Sequence, residues 1–258
     1  RKPARPAPGP TPVPAPPAAV PVPIGGTPIP APIRNPVGFA AGGGTLWFVN
    51  HDPAPDGHLY KANPATGDLL ASFDLPLETV SHPWSTAFDG ERVWVAGMTS
   101  ELAALDPKTG RLLKTLRLPE ATRPDAPASA TGFDPEFPYS ITDLAADSGS
   151  LWVLARQKAG AGILRIDPSD GRTLSFVPAP EDSTWLAQAD GSLWVRTRQR
   201  NAEGVIVRLD PLSGRVLETR SLPDEARFLS GLESDGSGGF LVTDNRTRRV
   251  VRLEPKRP

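Results

Sequence analysis

Residues 85–118 contain the stretch Ser85-Thr86-Ala87-Phe88, Asp89-Gly90, Arg92-Val93-Trp94-Val95-Ala96, Leu102-Ala103-Ala104-Leu105, Asp106-Pro107-Lys108-Thr109-Gly110, Arg111-Leu112-Leu113-Lys114-Thr115-Leu116-Arg117-Leu118. Four short runs separated by turn chemistry predict four antiparallel strands joined as hairpins. Asp-Gly tolerates the positive φ of a two-residue hairpin turn, and Asp-Pro-x-Thr-Gly joins an Asx-type hydrogen bond to a proline of preset φ and a closing glycine. The second run is continuously apolar, as a strand buried on both faces must be, whereas the fourth is mixed and predicts a wetter outer edge. The first run carries small residues, Ser85-Thr86-Ala87, which suit a crowded axis.

The unit repeats. Leu46-Trp47-Phe48, Val93-Trp94-Val95, Leu151-Trp152-Val153, Leu193-Trp194-Val195 and Phe240-Leu241-Val242 each follow a glycine-containing turn. Each is followed in turn by Asn63-Pro64-Ala65-Thr66-Gly67, Asp106 to Gly110, Asp167-Pro168-Ser169-Asp170-Gly171, Asp210-Pro211-Leu212-Ser213-Gly214, or a worn copy at Glu254-Pro255. A spacing of 42 to 61 residues between copies is that of propeller blades. The last copy lacks a fourth strand, and Gly25-Gly26-Thr27-Pro28-Ile29-Pro30-Ala31-Pro32 mimics Gly171 to Pro180, so residues 22–32 are expected to supply it. The fold class read from the chain is therefore all-β: a five-bladed β-propeller of four-stranded antiparallel blades over residues 22–258. Its last blade is closed by an N-terminal strand, and a proline-rich linker or tether, residues 1–21, precedes it.

Composition supports this division. Of 32 prolines among 258 residues, 14 fall in the first 36, where alternate prolines favour an extended polyproline II spacer. That spacer reads as a solvated linker, an SH3-type ligand, or a bridge across a cell-wall layer from an upstream anchor. Four of the 28 basic residues lie in this tail, so the body carries 24 basic and 29 acidic groups, a balance that argues against nucleic-acid binding. No apolar run is long enough for a membrane helix, leaving a missing upstream anchor as the expected membrane connection. The absence of cysteine excludes disulfides and thiolate chemistry.

Asn35-Pro36-Val37-Gly38-Phe39-Ala40 with Gly44-Thr45-Leu46-Trp47-Phe48, and His82-Pro83-Trp84-Ser85-Thr86-Ala87, resemble the blade repeats of virginiamycin B lyase-like, NHL and YVTN propellers. Leu105 to Leu113 also resembles a quinoprotein-type repeat. The resemblance covers about residues 22–258 and implies propeller architecture. Virginiamycin B lyase-like enzymes hold a divalent cation with histidines and a glutamate on top of the ring. Here His51, His58 and His82 all fall in the first two repeats, so the resemblance does not carry that activity over.

Propeller function is expected on the face of irregular loops rather than on the face of stereotyped turns. Arg156 and Lys158, then Arg196, Arg198 and Arg200, then Arg246, Arg248 and Arg249 occupy equivalent loops of three successive repeats, predicting a basic sector. It reads either as a rim neutralised by acids such as Glu181 and Asp182 or as a site for an acidic protein segment or charged glycan. Phe133, Phe137 and Tyr139 give the long loop 120–140 aromatic anchors for a lid or partner-binding arm, or simply pins onto the body. Trp84 and Trp185 begin first strands near the same face and are the expected ligand-facing aromatics. His82 joins them as a ligand- or partner-binding residue; His51-Asp52 with His58, and His82 with Trp84, read either as surface residues of the loops or as metal ligands or a general base brought together on the first two blades. The sequence offers no motif for a catalytic set, a dedicated metal site or a cofactor. The expected role is an extracytoplasmic protein- or glycan-binding module, periplasmic, on the cell surface or secreted. A metal-assisted lyase or hydrolase and a structural subunit of a surface complex remain the alternatives.

Overall fold

The computed structural model describes residues 20–21, 24–31, 33, 36–50, 57–97, 100–118, 140–157, 160–197, 204–222, 229–244 and 246–254. They form five radial blades. Blade 1 contains β3 (Pro36–Gly42), β4 (Thr45–Asn50), β5 (His58–Ala62) and β6 (Leu69–Asp74), and blade 2 contains β7 (Ser85–Phe88), β8 (Val93–Ala96), β9 (Glu101–Leu105) and β10 (Leu112–Arg117). Blade 3 contains β11 (Ser140–Asp147), β12 (Ser150–Gln157), β13 (Gly160–Ile166) and β14 (Thr173–Ala179). Blade 4 contains β15 (Ser183–Ala189), β16 (Ser192–Thr197), β17 (Val205–Leu209) and β18 (Val216–Ser221). Blade 5 joins β19 (Leu229–Ser234), β20 (Phe240–Asp244) and β21 (Arg249–Leu253) to β2 (Ile24–Pro30), which pairs antiparallel with β21 through Ile24 opposite Leu253 and Ile29 opposite Val250. The expected N-terminal closing strand is therefore present, and the Ala31 amide adds a bond to the Arg248 carbonyl. One pairing is new: β1 (Val20–Pro21) lies parallel to β18 on the outer edge of blade 4, so two residues assigned to the linker join a sheet. Proline is tolerated at such an edge because one side of an edge strand needs no amide donor.

The innermost strands β3, β7, β11, β15 and β19 pack in succession, with β19 returning to β3, and so close a ring around a central channel. Apolar side chains fill the seams between blades. Trp47 and Ala40 of blade 1 meet Val93 and Val95 of blade 2; Trp94 and Ala87 meet Leu144 and Leu151 of blade 3. Trp152 and Ala145 meet Leu186 and Leu193 of blade 4, and Trp194 and Ala187 meet Leu232 and Phe240 of blade 5. Phe39, Leu46 and Phe48 meet Val250 at the last seam. Second strands β4, β8 and β16 are buried along their whole length, whereas β6 and β10 are largely exposed, as the continuous and mixed patterns require. Basic side chains cover tryptophan faces at the blade interiors, with Lys61, Arg92, Arg165 and Arg208 at 5.2, 5.4, 5.3 and 5.8 Å from the rings of Trp47, Trp94, Trp152 and Trp194.

The stereotyped turns hold as expected. Asp106 Oδ1 accepts from the Lys108 and Thr109 amides at 2.8 Å each, and Gly110 closes the turn at a φ of 70°. Asp210 repeats the arrangement with Leu212 and Ser213. These bonds favour the ionised form and hold the carboxyls of Asp106 and Asp210 below their ordinary range.

Candidate functional site

Strands β7, β11 and β15 belong to consecutive blades, and their inner edges turn unpaired backbone groups toward the channel. Asp143 on β11 uses this geometry to link three blades. The Leu144 amide donates to Ser85 Oγ at 2.9 Å, the Ser85 hydroxyl donates to Asp143 Oδ1 at 2.6 Å, and the Leu186 amide donates to Asp143 Oδ2 at 2.7 Å. Burial pushes the Asp143 carboxyl up to about 7, against the lowering effect of the Ser85, Leu186 and Leu144 bonds. Glu233 on β19 is raised well above its ordinary 4.5 by burial and then by the charge of Asp143, with a bond from the Ser234 amide opposing. Two carboxyls thus share the interior of the ring, one fully hydrogen-bonded and one not.

Trp84, immediately before β7, and Trp185, on β15, stack with ring centroids 6.4 Å apart and planes inclined by 7°. Blades 2 and 4 are separated by blade 3, so this pair spans the channel between the two blades that Asp143 bridges. Both residues lie at the variable-loop ends of their strands. Trp185 is buried and Trp84 half-buried, so the aromatic surface left on that side is that of Trp84, backed by the Trp185 ring. His82 is exposed next to it, with a φ of 51°, and leads through Pro83 into Trp84.

Of the expected basic sector the described residues include Arg156, Arg246 and Arg248, on blades 3 and 5. Arg156, at the end of β12, is exposed but held by Asp182 at 3.0 Å and by the Glu181 carbonyl, which is the neutralised-rim arrangement. Arg246 and Arg248 are exposed on the turn after β20, where Asp244 accepts from the Arg246 amide at 2.9 Å and from the Thr247 hydroxyl at 2.5 Å, and Arg248 has a φ of 55°. Arg198, Arg200, Phe133, Phe137 and Tyr139 lie outside the described residues, as do His51, Asp52 and Lys158. His58 sits on β5 with Nε2 at 3.1 Å from Asp74 of β6, in a pairing within blade 1. Among the described residues no three histidine, aspartate or glutamate side chains converge as a metal site.

Asp143 and Ser85 escaped the sequence reading because one lone acid in a first strand carries no signal until the ring places it between blades. Glu233 carried a signal. It stands opposite Leu241, whereas the other four repeats place alanine opposite tryptophan.

Comparison with solved structures finds similar folds, WD40 propeller domains among them. Glutaminyl cyclase from Myxococcus xanthus superposes with a TM-score of 0.67 at 15% identity, covering 92% of this chain and 98% of that one. The Pan2 WD40 domain of Neurospora crassa gives 0.52 at 11% identity over 86% of this chain and 76% of that one. Hydrazine synthase of Kuenenia stuttgartiensis gives 0.51 at 14% identity over 84% and 58%. At these identities the likeness concerns the fold alone. No curated protein sequence matches the chain significantly. A family model does match, over residues 40–252, which reaches into every blade; in place of a finer assignment to virginiamycin B lyase-like, NHL or YVTN propellers, the chain belongs to the family described as outer membrane protein assembly factor BamB.

Proposed function

We propose that the protein is a non-catalytic binding and assembly module of the extracytoplasmic space, engaging a protein partner through its variable-loop face around the channel mouth. The family's description points to outer membrane proteins and the machinery that assembles them as the partner class. The observation that carries the reading is the Trp84–Trp185 stack, in which buried Trp185 fixes the half-exposed ring of Trp84: rigid aromatic surface anchors partners at little entropic cost. Exposed His82, Arg156, Arg246 and Arg248 rim the same face, while the opposite face repeats one turn design. Both Asp143 oxygens are engaged by the protein's own donors, which favours a scaffold role for that carboxyl over acid–base chemistry.

Site-specific photo-crosslinkers in the native host test the face. Probes at His82 and Arg248 are expected to yield discrete adducts containing an outer membrane protein or an assembly component, and probes at Lys108 and Leu212 on the turn face are not. Adducts from the turn-face positions alone would overturn the reading. Trp84→Ala with Trp185→Ala is expected to abolish the His82 adduct.

A further inference from the structure

Four seams of the ring are built the same way on their inner side. Ala40 pairs across strands with Trp47, Ala87 with Trp94, Ala145 with Trp152 and Ala187 with Trp194. Each small side chain stands beside a large one, and the pair packs together into the cluster shared with the next blade. The fifth seam reverses the sizes. Glu233 stands where alanine is found elsewhere and pairs with Leu241, which replaces the tryptophan. The shorter leucine leaves room for the longer acid, so the seam keeps its volume while exchanging an indole for a carboxyl. β2 completes blade 5 on β21, and Ile29 and Val250 of these two strands pack into the cluster that this seam shares with blade 1.

We propose that Glu233 makes the closing seam between blades 5 and 1 a proton-dependent latch, tight when the carboxyl is protonated and loosened when it ionises. Among the described residues, the strands packed against β19 bring it no countercharge. Of the strands packed against β19, neither β15 nor β3 carries a titratable side chain. On β20 Asp244 is the one such group, and its carboxylate is occupied by Thr247 and the Arg246 amide. Arg252 of β21, which stands opposite Leu241, is turned to Asp235 at 2.7 Å. The remaining charge that acts on Glu233 is Asp143, of the same sign, so ionising both carboxyls in this interior is opposed twice, by burial and by repulsion. The sign follows directly: a carboxyl whose folded value is raised stabilises the fold below its unfolded value and loses that contribution as the pH climbs through the folded one.

Hydrogen exchange on the full chain at about pH 5.5 and about pH 8.5, corrected for intrinsic rates, reads the latch. Protection of the β2 and β21 amides is expected to fall about tenfold or more beyond the fall seen at β8 and β9 in blade 2, which register only the loss through Asp143. Glu233→Gln, which retains shape without the charge, is expected to remove that excess, so that β2–β21 protection falls no further than that of blade 2. Asp143→Asn, which keeps an acceptor for Ser85, is expected to move the loosening of the seam, read on the β2 amides, to lower pH, because Glu233 without the neighbouring like charge titrates nearer its ordinary value. Should Glu233→Gln fold poorly, Glu233→Ala with Leu241→Trp rebuilds the pattern of the other four seams and is expected likewise to lose no more protection at β2–β21 than at blade 2. Equal loss of protection in blades 2 and 5, or a wild-type pH response retained by either Glu233 variant, would overturn the proposal.

Discussion

Gly110 and Gly191 have nearly the same backbone twist, with φ of 70° and 67°, yet their surroundings differ. A Cβ on Gly191 would meet nothing within 4 Å, whereas one on Gly110 would stand 2.4 Å from Phe73 Cγ of the neighbouring blade. Gly191→Ala therefore adds only backbone strain, about 1 kcal/mol, and Gly110→Ala adds displacement of a ring packed at a seam, for a loss about twice as large or more. Denaturant unfolding of the two variants checks this, and equal losses would mean that Phe73 yields freely. A seam tryptophan sets the upper end of the same scale. Trp94 is completely buried and its indole donates to Asp89 at 2.7 Å, so Trp94→Ala is expected to cost about 3–5 kcal/mol.

At the level of elements, the closing strand links the two ends of the chain. Removal of residues 1–19 leaves every described strand in place, and its melting temperature is expected to match that of the full chain. Removal of residues 1–30 takes away β1 and β2, bares the β21 edge and should produce aggregation or loss of cooperative unfolding. Similar melting of the two truncations would sink the closure role of β2. This element was legible in the sequence because a missing fourth strand and a mimic near the start are both local patterns. Blade order, the buried second strands and the Asp-Pro turns were legible for the same reason: each rests on residues close together in the chain. The parallel addition of Val20–Pro21 to β18 was not, since a proline-rich run looks the same wherever it docks. Nor was the Trp84–Trp185 stack, whose partners are a hundred residues apart and meet only because the ring curls blade 2 toward blade 4.

Across the whole molecule, two populations of carboxylate pull stability in opposite directions with pH. The turn acids Asp106, Asp167 and Asp210 are held below their ordinary 3.8 by local hydrogen bonds, so their contribution is complete above that value and disappears as the pH falls through the depressed ones. Asp143 does the reverse. Its carboxyl is raised to about 7 by burial, so stability declines as the pH rises from about 3.8 toward neutrality and stays lowered beyond. At about 1.4 kcal/mol per unit, the full penalty is on the order of 4 kcal/mol, enough to matter against the marginal stability of a domain. The protein is therefore expected to be most stable in mildly acidic solution, between the two ranges. Urea unfolding of wild type and Asp143→Asn from about pH 4 to about pH 9 separates the contributions. The variant should lose stability at the acidic end, where a protonated Asp143 suits its site, and narrow or reverse that deficit above neutrality. A constant difference between the two proteins across the range would show that Asp143 stays in one protonation state throughout, and the three-blade bridge would then owe its strength to the Ser85 and Leu186 bonds alone.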